Sequence, residues 1–129
     1  MLSPSNKYLW ASARLKVSST GPGSSYISCF LLADNGLIVK RMFMVPTSVG
    51  PGAALAVSPA HWSDEYVAVS YNPGGDVEIL KLEGRKETEN GVEYKTASVV
   101  AKLGIGDTGC CANMIWAGRD DVPKNDHTR

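Results

Sequence analysis

Few residues of this chain stand at the spacings that catalytic or ligand-binding groups usually have. Residues 104–109 match the pattern G-x-G-x-x-G, but a dinucleotide site needs a helix opening at the third glycine, and here the next strand-like segment follows too soon. We interpret these residues as a loop. The only histidines, His61 and His127, have no cysteine or carboxylate at metal-ligand spacing. We therefore expect no metal site.

The adjacent carboxylates Asp64 and Glu65 invite an acid–base mechanism. Neighbouring residues on a strand point to opposite faces, so the two groups are not expected to converge on one substrate. A loop that leads into a strand, with Trp62 packed between neighbouring sheets, explains them more simply. Cys110 and Cys111 have no evident cationic neighbour that would lower a thiol pKa, and we interpret them as small buried hydrophobic residues.

Composition argues against several classes of protein. The 13 basic and 13 acidic residues cancel without long runs of either sign, which disfavours a nucleic-acid-binding surface. No apolar stretch is long enough for a membrane helix, and no signal peptide is evident. Three cysteines, two of them adjacent, do not form a disulfide framework. These features predict a cytoplasmic protein.

The elements that would position functional side chains are strands. Segments rich in β-branched and aromatic residues recur between glycine, proline, asparagine and aspartate, and none shows a sustained helical period. The sequence therefore predicts an all-β chain. The predicted strands are Lys7–Leu15, Tyr26–Ala33, Leu37–Val45, Leu55–Val57, Tyr66–Tyr71, Val77–Leu82 and Thr96–Leu103.

The strands repeat as a set. Ser3-Pro4 returns as Ser58-Pro59, and Tyr8–Ser12 returns as Tyr66–Ser70 after an insertion of three residues at 61–63. A repeat of about 50 to 60 residues with up to four antiparallel strands is typical of a propeller blade.

Asn35-Gly36 also returns, as Asn90-Gly91. Each pair lies between strand-like runs, and such pairs favour two-residue type I′ hairpin turns, in which both residues have positive φ.

The repeats predict a partial β-propeller over residues 1–118. We expect one blade at about 1–48, a second at about 53–105 and the inner strand of a further blade at about 111–117. The polar segment 119–129 is expected to be a disordered tail. In this interpretation the chain starts inside one blade, so it forms an open arc with unpaired edges that ring closure would normally remove.

Three motifs resemble one family of propellers. The segment Lys7–Arg14, the segment Ala56–Pro59 followed by Trp62–Tyr66, and the segment Asn113–Trp116 are similar, in order and spacing, to parts of fungal 3-carboxy-cis,cis-muconate lactonizing enzymes, the carboxy-cis,cis-muconate cyclases. The resemblance runs from about residue 2 to residue 117. It implies a seven-bladed propeller of the lactonase superfamily, with this chain as a C-terminal fragment.

The resemblance also implies a reaction. The family closes 3-carboxy-cis,cis-muconate to a lactone in protocatechuate catabolism, without a metal or cofactor. A tricarboxylate substrate needs cations, preferably arginine, and the alkene carbon needs a proton donor. Arg14 matches a family arginine of the central pocket, and the resemblance implies that it binds a substrate carboxylate. The alternative is a surface arginine at the edge of a strand.

The chain also departs from the family pattern. The family histidine position before Ala56 is Ala53 here, and two polar positions are Ala54 and Leu55. The family's acid–base histidine and glutamate lie in earlier blades. We therefore expect this chain alone to be inactive and to self-associate through its open blade edges. Two alternatives stay open, a lactone hydrolase resembling 6-phosphogluconolactonase and a non-catalytic propeller fragment.

Overall fold

A computed structural model of the chain describes residues 1–13, 26–46, 54–72 and 76–104. These residues form antiparallel sheets and no helix. The predicted all-β class is confirmed, and the sheets are consistent with a partial β-propeller. The strands are β1 Tyr8–Ala13, β2 Tyr26–Leu32, β3 Ile38–Pro46, β4 Ala54–Pro59, β5 Tyr66–Asn72, β6 Asp76–Glu83, β7 Lys86–Thr88, β8 Gly91–Glu93 and β9 Thr96–Gly104.

The first sheet has the order β1-β2-β3, and the second has the order β4-β5-β6-β9. Except for β6 and β9, which the hairpin β7–β8 separates in sequence, neighbouring strands in each sheet are consecutive, which is how a propeller blade is built. The segment before β1 also pairs with the first sheet, because Leu2 forms an antiparallel bridge with Leu9 of β1 and the Trp10 N–H donates to the Met1 carbonyl at 2.8 Å.

The two sheets share one hydrophobic core. Side chains at alternate positions of β1, β2, β5 and β6 point into the space between the sheets, where each loses nearly all contact with water. Burial of this kind is the largest stabilising contribution to folding. The most buried members are Trp10, Ile27, Cys29, Leu31, Val67, Val69 and Leu82.

A small hairpin, β7–β8, departs from the simple blade plan. It is inserted between β6 and β9 and reaches the first sheet, where the Lys40 ammonium lies 2.7 Å from a Glu93 carboxylate oxygen. The same hairpin accepts a hydrogen bond from the Tyr8 hydroxyl at the Val92 carbonyl. The hairpin is therefore a strap that joins the second sheet to the first.

The strand registers correct one part of the predicted repeat. Ser3 N–H donates to the Tyr8 carbonyl, as Ala60 N–H donates to the Tyr66 carbonyl, both at 2.9 Å. Ser3 is therefore equivalent to Ala60, 57 residues later (60 minus 3), and not to Ser58. The loop to Tyr66 is longer by one residue, six positions against five, rather than by three. Pairing across the strands fixes this equivalence, whereas Ser-Pro is common before any turn.

The predicted type I′ turns are wrong. Gly36 and Gly91 have positive φ, but Asn6 is the only non-glycine residue with positive φ among those described. At Asn35 the loop has three residues, since the Gly36 N–H donates to the Ala33 carbonyl at 2.9 Å and Ala33 pairs with Leu37. At the strap, Thr88 pairs with Gly91, so the two loop residues are Glu89 and Asn90. In both places only the glycine takes the left-handed conformation.

Candidate functional site

Arg14, the candidate for binding a substrate carboxylate, lies outside the described residues, directly after β1 in sequence. Ala53 also lies outside them, directly before β4. The strands that lead to these positions are described, and β1 packs beside β4. The start of β1 and the end of β4 meet at one edge of the molecule, because the Ser5 N–H, just before β1, donates to an Asp64 carboxylate oxygen, after β4, at 3.0 Å. Ala13 and Ala54 therefore lie at the other edge, where the predicted pocket would form.

One buried acid lies toward this edge. Glu78 is 3% exposed and is the only buried charged residue among those described. It alternates with Leu80 and Leu82 on the face of β6 that packs against the first sheet, and it is the register neighbour of Val69 on β5. Glu78 has an interaction partner in the fold, as a buried polar side chain requires. Sequence reasoning missed Glu78, since nothing in its spacing separates it from an exposed strand residue.

The other edge holds a cluster of phenols and carboxylates. The Tyr8 hydroxyl donates to the Val92 carbonyl at 2.8 Å, and the Tyr94 hydroxyl donates to a Glu65 carboxylate oxygen at 3.1 Å. The two rings stand edge to face, with centroids 5.8 Å apart. This cluster joins both sheets and the strap.

The electrostatics of the cluster keep both phenols protonated. Burial, and then the neighbouring Tyr94, raise the pKa of Tyr8 to about 12. Burial and the hydrogen bond to Glu65 also raise the pKa of Tyr94. A phenol that holds its proton this firmly, and whose hydroxyl already donates to a fixed partner, is poorly suited to proton transfer. The geometry gives the cluster a structural role.

The adjacent carboxylates Asp64 and Glu65 do not form an acid–base pair. Asp64 accepts from the Ser5 backbone, whereas Glu65 accepts from Tyr94. The expectation that they diverge is confirmed. The expectation for Trp62 is wrong, because its side chain is 44% exposed and stands edge-on to His61 rather than packing between the sheets. The loop from Ala60 to Tyr66 is one residue longer than the loop from Ser3 to Tyr8, and the Trp62 indole lies on its solvent-exposed side.

The described residues include no group of three or more metal-ligating side chains. Cys29 is a free thiol with no solvent contact, and burial raises its pKa to about 12, so it is an unreactive core residue. Cys110, Cys111, His127 and the predicted strand 111–117 lie outside the described residues. None of the residues that the structure describes forms a helix able to cross a membrane.

Comparison with proteins of known activity places the chain in context. Over 112 residues it is 33% identical to a carboxy-cis,cis-muconate cyclase of Neurospora crassa, and the match covers 87% of this chain. The chain is related in sequence to the carboxy-cis,cis-muconate cyclase family. The predicted resemblance is thereby confirmed. The chain spans 27% of the length of the Neurospora cyclase. No protein-family profile matches the chain.

The relationship to the cyclase family fits the described architecture. The match covers most of this chain and a minor part of the relative, and the described sheets are consistent with a partial β-propeller.

Proposed function

We propose that this chain is an arc of a propeller cycloisomerase that closes 3-carboxy-cis,cis-muconate to a carboxymuconolactone. The observation that carries the proposal is the identity to the Neurospora cyclase over 87% of the chain. The all-β sheets support it, because the two blade-like units share one hydrophobic core.

Within this function we assign Arg14 to a substrate carboxylate. Its guanidinium is permanently charged and its fork of donors matches a carboxylate in two hydrogen bonds. The strand that precedes it, β1, is anchored in the core by Tyr8 and Trp10, which are 4% and 1% exposed. A rigid strand before the arginine favours precise positioning of the charge.

We propose that the chain needs the remaining blades of a propeller for turnover. It spans 27% of the Neurospora cyclase, and the family resemblance puts the acid–base histidine and glutamate that proton delivery to the alkene needs in earlier blades. A non-catalytic arc is the second candidate. The apolar residues Ala53, Ala54 and Leu55, at positions where the family has polar ones, favour it.

The test is the ultraviolet absorbance of 3-carboxy-cis,cis-muconate, followed with three proteins. They are this chain, the intact Neurospora cyclase, and a chimera in which this chain replaces the matched segment of that cyclase. Our proposal expects no turnover by the chain and measurable turnover by the chimera. In the chimera, Arg14→Ala should abolish turnover, whereas Arg41→Ala, a change on the outer strand β3, should not.

The possible results separate the candidates. An inactive chimera that is folded by circular dichroism would favour the non-catalytic arc. Hydrolysis of a sugar lactone by the active chimera, without loss of muconate, would favour a lactone hydrolase. Turnover by the chain alone would contradict the need for further blades.

We also propose that the isolated chain self-associates in solution through its open sheet surfaces, and that it works in the cytoplasm. Val99, Val100 and Leu103 on β9 are each more than half exposed. Apolar residues grouped on an edge strand favour association. Sedimentation velocity over a range of concentrations should show species larger than a monomer, and Leu103→Lys should reduce them. A single monomer at every concentration would overturn the self-association.

A further inference from the structure

The two Asn-Gly pairs, which the proposed function does not use, differ in how firmly the fold holds the asparagine side chain. The Oδ1 atom of Asn35 accepts a hydrogen bond from the Leu37 N–H at 3.1 Å. Asn90 donates its backbone N–H to Thr88 Oγ1 at 3.3 Å, and among the described residues its side-chain amide has no hydrogen bond. Both asparagines are exposed to solvent.

The elements around the two pairs also differ in stability. Asn35 lies in the loop between β2 and β3, strands of seven and nine residues. Asn90 lies at the tip of the strap, whose strands have three residues each. A two-stranded hairpin of this size is marginal by itself and opens locally more easily than a longer pair. Opening lets the asparagine side chain and the following glycine nitrogen adopt geometries that the closed turn excludes.

We propose that Asn90 is a site of spontaneous deamidation, and that the fold directs this modification to Asn90 rather than to Asn35. The Gly91 nitrogen loses its proton to a solvent base and attacks Cγ of Asn90. The N–Cγ bond forms, the side-chain nitrogen takes a proton from solvent, the bond from Cγ to that nitrogen breaks, and ammonia leaves. Water then opens the succinimide ring at either carbonyl and gives aspartate or isoaspartate. Glycine favours the attack because it has no side chain to obstruct it.

The modification would act on the strap. It adds a carboxylate next to Glu89 and within three residues of Glu93, whose ion pair with Lys40 ties the strap to the first sheet. Isoaspartate also lengthens the backbone of a two-residue loop, which shifts the pairing of β7 with β8. The product should therefore have a lower melting temperature than the unmodified chain.

The experiment is incubation of the purified chain at neutral and mildly alkaline pH, followed by tryptic peptide mapping by mass spectrometry. Asn90 and Asn35 fall in different peptides, so both rates come from one sample. A parallel incubation in denaturing urea measures the two rates without the fold. We expect several-fold faster deamidation at Asn90 than at Asn35 in the folded chain, and similar rates in urea.

Two variants sharpen the result. Asn90→Gln should remove the faster deamidation, and Asn35→Gln should leave the rate at Asn90 unchanged. Asn90→Asp introduces the charge without the isoaspartate, so it shows how much of the melting-temperature loss comes from charge alone. A ratio of rates that is the same in the folded chain and in urea, or faster reaction at Asn35, would overturn the proposal. So would the absence of product from the folded chain after both sites have reacted in urea.

Discussion

The hydroxyl of Tyr94 is a residue-scale contact whose contribution can be isolated. Tyr94→Phe removes the donor to Glu65 and keeps the edge-to-face ring contact with Tyr8. We expect the free energy of unfolding to fall by about 1–2 kcal/mol, because a hydrogen bond to a carboxylate is lost in a partly buried site. Urea unfolding measures this. The matched control is Tyr66→Phe, which keeps the ring beneath the Lys81 ammonium. Equal losses in both variants would contradict the assignment.

The phenol of Tyr8 predicts how stability depends on alkaline pH. An unperturbed tyrosine has a pKa of 10.0, and in the folded chain the pKa of Tyr8 is about 12. Between these values the unfolded chain has released the proton and the folded chain still holds it. The unfolded state then binds fewer protons, so stability falls as pH rises.

Tyr8→Phe should make the loss of stability between pH 10 and about 12 shallower, although it lowers stability at neutral pH by leaving the Val92 carbonyl without its donor. Other groups titrate in this range, so the useful quantity is the difference in slope between the two proteins, taken from urea unfolding at each pH. Parallel slopes would show that Tyr8 titrates alike in both states.

At the residue scale, the sequence could predict how neighbouring side chains are arranged but not which residues distant in sequence form hydrogen bonds. Asp64 and Glu65 bind different partners, as expected, although both lie in the turn before β5 rather than on a strand. The hydrogen bond from the Tyr94 hydroxyl to Glu65 joins residues that are far apart in sequence, and no local sequence pattern predicts it. Glu78 was missed for a related reason. Over residues 77–82, each face of β6 carries two apolar residues and one charged residue, so alternation does not show which face is buried.

Two glycines give a prediction at the scale of the elements. Gly84, which directly follows β6, has a φ of +75°, and a Cβ there would lie 2.6 Å from the Lys95 Cβ. Gly36 has a φ of +86° with nothing within 4 Å of a Cβ. Alanine at either position costs about 1–2 kcal/mol for the left-handed backbone. Gly84→Ala should cost at least about 1 kcal/mol more, because the side chains clash.

Chemical denaturation of the two glycine variants measures this difference directly. Gly36→Ala is the matched control, since it has the same backbone conformation without the clash. Equal destabilisation by the two variants would mean that the contact between positions 84 and 95 relaxes to accept a methyl group.

Among the elements, strand positions were predictable and turn details were not. Alternating β-branched residues between glycines and prolines mark strands directly, and β2, β5 and β6 lie close to the predicted segments. The Asn-Gly pairs mark turns correctly but not the turn type. At the strap the two loop residues are Glu89 and Asn90, and the loop at Asn35 has three residues. The short strands of the strap, Lys86–Thr88 and Gly91–Glu93, carry too few residues to show alternation.

At the scale of the whole molecule, the shared core predicts that the two sheets unfold together. Leu82 on β6 is 2% exposed and belongs to the cluster that includes Trp10 and Leu31 of the first sheet. Leu82→Ala should lower the free energy of unfolding by about 2–5 kcal/mol, because a cavity opens between the sheets. Since the lost contacts belong to both sheets, amide protection should fall by the same amount in β1 and β2 as in β5 and β6.

Hydrogen exchange followed by mass spectrometry reads both sheets in one experiment. The control is Leu103→Ala on β9, where the side chain is 58% exposed and the expected change is within about 0.5 kcal/mol. If protection falls only in the second sheet, the blades are separate folding units and the strap joins them after each has folded. If it falls in both, the shared core and the strap make the arc one cooperative unit, the rigid frame that a carboxylate-binding arginine at the end of β1 would require.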